Sequence, residues 1–137
     1  MKDTLKPGLE LTRRITVDRD RTIDFMGEDA RVYGTPNLVR DIEETCRELM
    51  LEHADAGEDS VGTNIDVTHL APTLLGMPVE LTVKVTEVAG RQVAFEVTGR
   101  DPLDEICRGT HRRVAVDTAK MADRLRAKAA SAAATAT

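Results

Sequence analysis

The sequence predicts an α+β protein in which a curved antiparallel sheet wraps one long central helix. Two observations carry this. A single segment, Leu38 to His53, repeats apolar residues at spacings of three and four, as one buried helix face requires. The segments around it alternate apolar and polar residues with a period of two, and short polar turns join them without intervening helices. A length of 137 residues fits one domain over 1–137.

The elements follow in order. Gly8 to Val17 alternates Leu9, Leu11, Ile15 and Val17 with Glu10, Thr12, Arg14 and Thr16, which predicts a half-buried first strand. Asp18 to Arg31 is charged and weakly periodic, a loop or short helical turn. Thr35-Pro36 is a helix-start signal, because Thr serves as an N-cap and Pro fits a position whose N–H has no partner. The helix spans about Pro36 to Ala54, with Leu38, Val39, Ile42, Cys46, Leu49, Met50 and His53 on its apolar stripe. Arg40, Glu44, Arg47, Glu48 and Glu52 form the charged face, and Arg40 can pair with Glu44 one turn on.

A polar turn from Asp55 to Ser60 leads to a strand with Val61, Thr63, Ile65, Val67 and His69 on one face and Gly62, Asn64, Asp66, Thr68 and Leu70 on the other. The Pro- and Gly-containing stretch from Ala71 to Pro78 is a loop. Val79, Leu81, Val83 and Val85 then face inward, as do Val93, Phe95 and Val97 after a turn at Ala89-Gly90, so the two runs form a hairpin. A last strand covers Glu105 to Val116 with a bulge expected at Gly109. Thr118 to Lys128 makes a short terminal helix, and Ser131 to Thr137 a frayed tail.

Composition narrows the partners. Hydrophobic residues are 41% and charged residues 31%, but aromatics only 2%, so the core is aliphatic and no stacking platform for single-stranded nucleic acid exists. A net charge of −5 opposes a duplex-binding face, and no nucleic-acid partner is expected. The charged N-terminal stretch has no secretory apolar region, and no run reaches the roughly 18 apolar residues of a membrane span, so a cytoplasmic location off the membrane is expected. Cys46 and Cys107 lack metal-binding spacing and read as buried thiols. From Leu103 onward seven basic residues stand against four acidic ones, either a patch for an anionic ligand or a solvated helix surface.

Phosphate-loop, nucleophile-elbow and zinc-protease motifs are absent, so any chemistry comes from dispersed residues. Thr35 stands at a helix start, where free N–H groups and the helix dipole stabilise a developing oxyanion. Glu43 lies on the flank of the apolar stripe, where a carboxylate either finds partners or reaches water at the stripe's edge. His69 ends an apolar strand face, as a proton carrier near neutral pH or as a hydrogen-bonded structural residue. Eight residues separate Thr35 from Glu43, about 12 Å of helix rise and too far for direct contact within one chain.

Three segments carry a resemblance: V-Y-G-T-P-N-L-V-R-D-I-E-E-T-C (Val32 to Cys46), S-V-G-T-N-I-D-V-T-H-L-A-P-T (Ser60 to Thr73) and D-E-I-C-R-G-T-H-R-R (Asp104 to Arg113). In order and interval they resemble the hot-dog thioesterases of the fluoroacetyl-CoA thioesterase type. The resemblance implies a hot-dog fold, a homodimer or higher assembly, and hydrolysis of a small acyl-CoA without metal or organic cofactor. It implies that Thr35, Glu43 and His69 are catalytic and that Gly62 and Arg113 contact substrate, with subunit pairing bringing helix and strand residues to one site. Arg113, with Arg108 or Arg112, would then meet the CoA phosphates. Phe25 and Tyr33 are the aromatics of the segment that would cap the acyl pocket, fewer than in the halogen-selective member's lid. Two rivals remain: a hydratase or dehydratase acting on the acyl chain, and a non-catalytic acyl-CoA-binding protein.

Overall fold

A computed structural model describes residues 1–135. Five long strands form one antiparallel sheet: β1 (Glu10–Thr16), β4 (Glu58–His69), β5 (Pro78–Ala89), β6 (Gln92–Arg100) and β7 (Glu105–Asp117), in the order β1-β5-β6-β7-β4. The segment after β1 holds two 3-10 turns and a two-residue pair, β2 (Thr22–Ile23) with β3 (Val32–Tyr33). Helix α1 (Thr35–Leu51) packs on β1, β4 and β5, and α2 (Thr118–Thr135) follows β7. Neither helix is long and apolar enough to cross a membrane.

The core lies between α1 and the sheet. Leu38, Ile42, Cys46, Leu49 and Met50 from α1 meet Val79, Leu81, Val83, Val85, Val93, Phe95 and Val97, all buried. A fully buried Leu, Ile or Met stabilises by about 1.5–3 kcal/mol, so this stripe holds the helix against its loss of entropy. Arg40 and Glu44 pair on the outer face at 3.1 Å, as their spacing predicts.

Several local expectations are corrected. Gly34, not Thr35, is the N-cap of α1, and no side chain caps the first turn. The bulge expected at Gly109 is absent: Gly109 pairs in regular register with Val67, and its missing side chain admits the Asp66 carbonyl, which would lie 2.0 Å from a Cβ. The bulge sits instead on β4, where the register shifts between Gly62 and Asn64 and Thr63 is the extra residue. It reverses which side of the strand points at the helix. Ser60 and Gly62 face inward before it, opposite Ala115 and Arg113, while Ile65, Val67 and His69 face inward after it, opposite His111, Gly109 and Cys107. Gly62 therefore shares a face with His69, not the opposite one. The terminal helix also runs beyond Lys128 to Thr135; of the expected frayed tail, residues 136–137 lie outside the described residues.

Candidate active site

The sequence-selected residues gather in two groups along α1. The first is at its N-terminus. Thr35 occupies the opening position of the helix, so its hydroxyl, freed from capping, stands 2.9 Å from His69 Nδ1 at the end of β4. Nε2 of His69 is buried and has no hydrogen-bond partner. Burial lowers the pKa of His69 below its ordinary value, because a desolvated ring disfavours the charge. The Tyr33 ring meets His69 edge-on with centroids 6.3 Å apart.

Tyr33 is itself fixed by a residue that the sequence did not single out. Asp41 sits within α1 at 2% exposure, accepts the Tyr33 hydroxyl proton, and takes Nε and Nη2 of Arg21 at 2.9 and 3.1 Å. This arrangement ties the segment between β1 and α1 to the helix that carries Thr35. Phe25, the other aromatic of that segment, is 84% exposed.

The second group lies two turns along α1. Glu43 Oε1 projects over Gly62, where an added Cβ would come within 2.2 Å of it. Behind it, Arg113 Nη1 is 3.7 Å away and His111 Nε2 is 3.9 Å away. Glu43 is 44% exposed, so it has both water and a buried cation beside it. Arg113 is 5% exposed and is held by Ser60, which accepts from Nε at the hydroxyl (2.8 Å) and from Nη2 at the carbonyl (2.9 Å). So enclosed, the guanidinium faces the Glu43 end of the site; the exposed cations of this strand are Arg108, paired with Glu105, and Arg112.

Burial pushes the Cys46 thiol up to about 12 and that of Cys107 up to about 11, so neither supplies a thiolate near neutral pH. Among the described residues, no group of three or more His, Cys, Asp and Glu is placed to hold a metal ion.

Residues 17–119 match the fluoroacetyl-CoA-specific thioesterase (FlK) family. The chain belongs to that family. It is 32% identical to the fluoroacetyl-CoA thioesterase of Streptantibioticus cattleyicolor over 135 residues, covering 93% of this chain and 97% of the relative. A solved structure of fluoroacetyl-CoA thioesterase FlK superposes with a TM-score of 0.84 at 30% identity, over 92% of this chain and 98% of that one. A Thermus thermophilus thioesterase superfamily member gives a TM-score of 0.85 at 27% identity, over 93% and 96% of the two chains. A hot-dog-like protein from Thermanaerovibrio acidaminovorans, 24% identical with a TM-score of 0.81 over 89% and 91%, shares the fold. The FlK-family chain is thus a thioester hydrolase with the hot-dog architecture that its sequence predicts.

Within this FlK-family chain, Thr35 meets His69, and Glu43 meets Gly62 and Arg113, but α1 holds the two groups about 12 Å apart by its rise. His111 and Ser60 complete the second group and escaped sequence reading. His111 stands two residues before Arg113 on β7 and so shares its face, whereas Ser60 reaches Arg113 only through the pairing of β4 with β7.

Proposed function

We propose that this chain is a cytoplasmic enzyme hydrolysing a small acyl-CoA to free acid and CoA, with residues 1–137 as one protomer of a homodimer. The observation that carries the reading is the Thr35–His69 hydrogen bond beside a buried, unpartnered Nε2. A buried imidazole nitrogen without a partner is costly to keep, and a reacting proton gives it a use.

The thioester carbonyl sits at the N-terminus of α1. There the dipole, the uncapped N–H groups and the Thr35 hydroxyl stabilise the oxyanion of the tetrahedral intermediate. Glu43 attacks the carbonyl carbon as a nucleophile or takes a proton from attacking water, and His69 shuttles the proton that the departing CoA thiolate accepts. Gly62 keeps the strand clear of the Glu43 carboxylate, and Arg113 offsets its charge. The second copy is needed because the two groups are far apart within one. Its docking edge is β4, a 12-residue strand at the margin of the sheet with Val61 and Ile65 40% and 37% exposed. Two free, buried cysteines suit a reducing compartment.

Thiol release across acetyl-, short-chain, aromatic and halogenated acyl-CoAs identifies the substrate. Glu43→Ala and His69→Ala then each lower kcat by about 10²-fold or more; unchanged turnover in both sinks the assignment. Loss of enoyl absorbance without thiol release would favour the hydratase reading instead.

A further inference from the structure

We propose that His111 is a positioning residue: by accepting the Nη1–H of Arg113 it holds that guanidinium off the Glu43 carboxylate. The inference rests on the reading of Glu43 given above and adds a residue that acts through Arg113.

The geometry fixes the hydrogen positions. Arginine has no acceptor, so across the 3.2 Å contact Nη1 donates and His111 Nε2 receives. The His111 proton is then on Nδ1, which donates to the Asn64 carbonyl at 2.7 Å. A neutral ring in one tautomer is also what its 1% exposure favours. The ring cannot swing away, because it stacks on Phe95 with centroids 6.3 Å apart and an interplanar angle of 27°. Asn64 is the residue that resumes regular pairing after the bulge in β4, and its carbonyl anchors His111.

With Nε–H and one N–H of Nη2 directed to Ser60 and one N–H of Nη1 directed to His111, Arg113 stays 3.7 Å from Glu43 Oε1. A charge-assisted pair closes to about 2.8 Å when nothing competes, so a movement of less than about 1 Å would engage the carboxylate directly. A carboxylate held that way has fewer lone pairs to attack carbon or accept a proton. His111 keeps the positive charge near Glu43 while leaving its oxygens available.

Two substitutions separate the acceptor from the rest of the ring. His111→Gln places an amide oxygen near the Nε2 position and can still accept from Arg113; His111→Asn can still donate to Asn64 but offers nothing there. Hydrolysis of acetyl-, propionyl- and fluoroacetyl-CoA is measured by thiol release, with Tm recorded for each protein and Glu43→Gln run alongside. The expected result is a kcat at least tenfold lower for His111→Asn with KM within threefold, and a kcat for His111→Gln within threefold of the parent. Equal loss in both variants, or full kcat in His111→Asn, overturns the role of His111 while Glu43→Gln still loses activity. If the Asn protein does not fold, His111→Gln decides alone: retained kcat supports the acceptor role, and lost kcat with Tm within a few degrees of the parent overturns it. No release by the parent from any of the three esters, or full activity in Glu43→Gln, overturns the reading of Glu43 and this inference with it.

Discussion

Substituting Gly62 by Ala separates a strand's structural need for glycine from a site's need for it. Gly62 does not have a positive φ, so the backbone accepts Ala, and Gly→Ala at a compatible position gains about 0.4–1 kcal/mol from the unfolded chain. The new Cβ meets Glu43 Oε1 at 2.2 Å and His111 Cε1 at 3.2 Å, against an ordinary contact of 3.4 Å or more. The carboxylate is the end of a flexible, 44% exposed side chain, so it retreats by a little over an ångström while the locked imidazole gives by a few tenths. These terms nearly cancel, and stability should change by less than about 1 kcal/mol, a few degrees in Tm. Activity responds differently. Displacing a reacting group by about 1 Å costs on the order of 10²-fold, equivalent to about 2.7 kcal/mol in the barrier. Calorimetry and thiol-release kinetics on the same preparation test both halves. A Gly62→Ala protein with kcat within twofold of the parent and an unchanged Tm would refute the reasoning, because Glu43 would then not be working over Gly62.

Other outcomes follow from the same geometry. Thr35→Val keeps shape but removes the hydroxyl facing His69, and at this exposed position it should lower kcat about tenfold or more with little change in Tm; equal turnover refutes it. Asp41→Ala leaves the Tyr33 hydroxyl and Arg21 without their buried acceptor and should cost about 3 kcal/mol by urea unfolding, a loss under 1 kcal/mol counting against the anchor. Burial holds His69 below the ordinary imidazole value of about 6.5, so the acid limb of kcat/KM should fall below that pH; a limb above 7 would show that His69 is not the base. His69 and His111 are both lowered in the folded chain, so the unfolded chain takes up protons first as pH drops through about 6.5. Their contribution to stability is complete above that pH and is lost on acidification toward the folded values, so Tm at pH 5.5 should lie below Tm at pH 7.5. A flat profile would contradict the burial of the two rings.

Local periodicity determined most of the architecture. The spacing from Leu38 to Met50 specified a one-sided helix, and alternation in β5 and β6 specified which residues enter the core, because each signal is written within one element and needs no knowledge of its neighbours. Residue type and order in the three segments likewise selected Thr35, Glu43, Gly62, His69 and Arg113. How these residues face one another was not local. Thr35 reads as a cap, and only the approach of β4 turns its hydroxyl to His69; Arg113 reads as a substrate contact, and only the pairing of β7 with β4 closes Ser60 over it beside His111 of its own strand. Above all, period-two reading put Gly62 and His69 on opposite faces, since seven residues of unbroken strand must do so. The bulge at Thr63 inserts one unpaired residue and restores them to the same face. Thr63 has no composition that marks a bulge. Its position is set by the register that β4 and β7 find together, an interaction between residues about fifty positions apart, and so it was decided only when the chain folded.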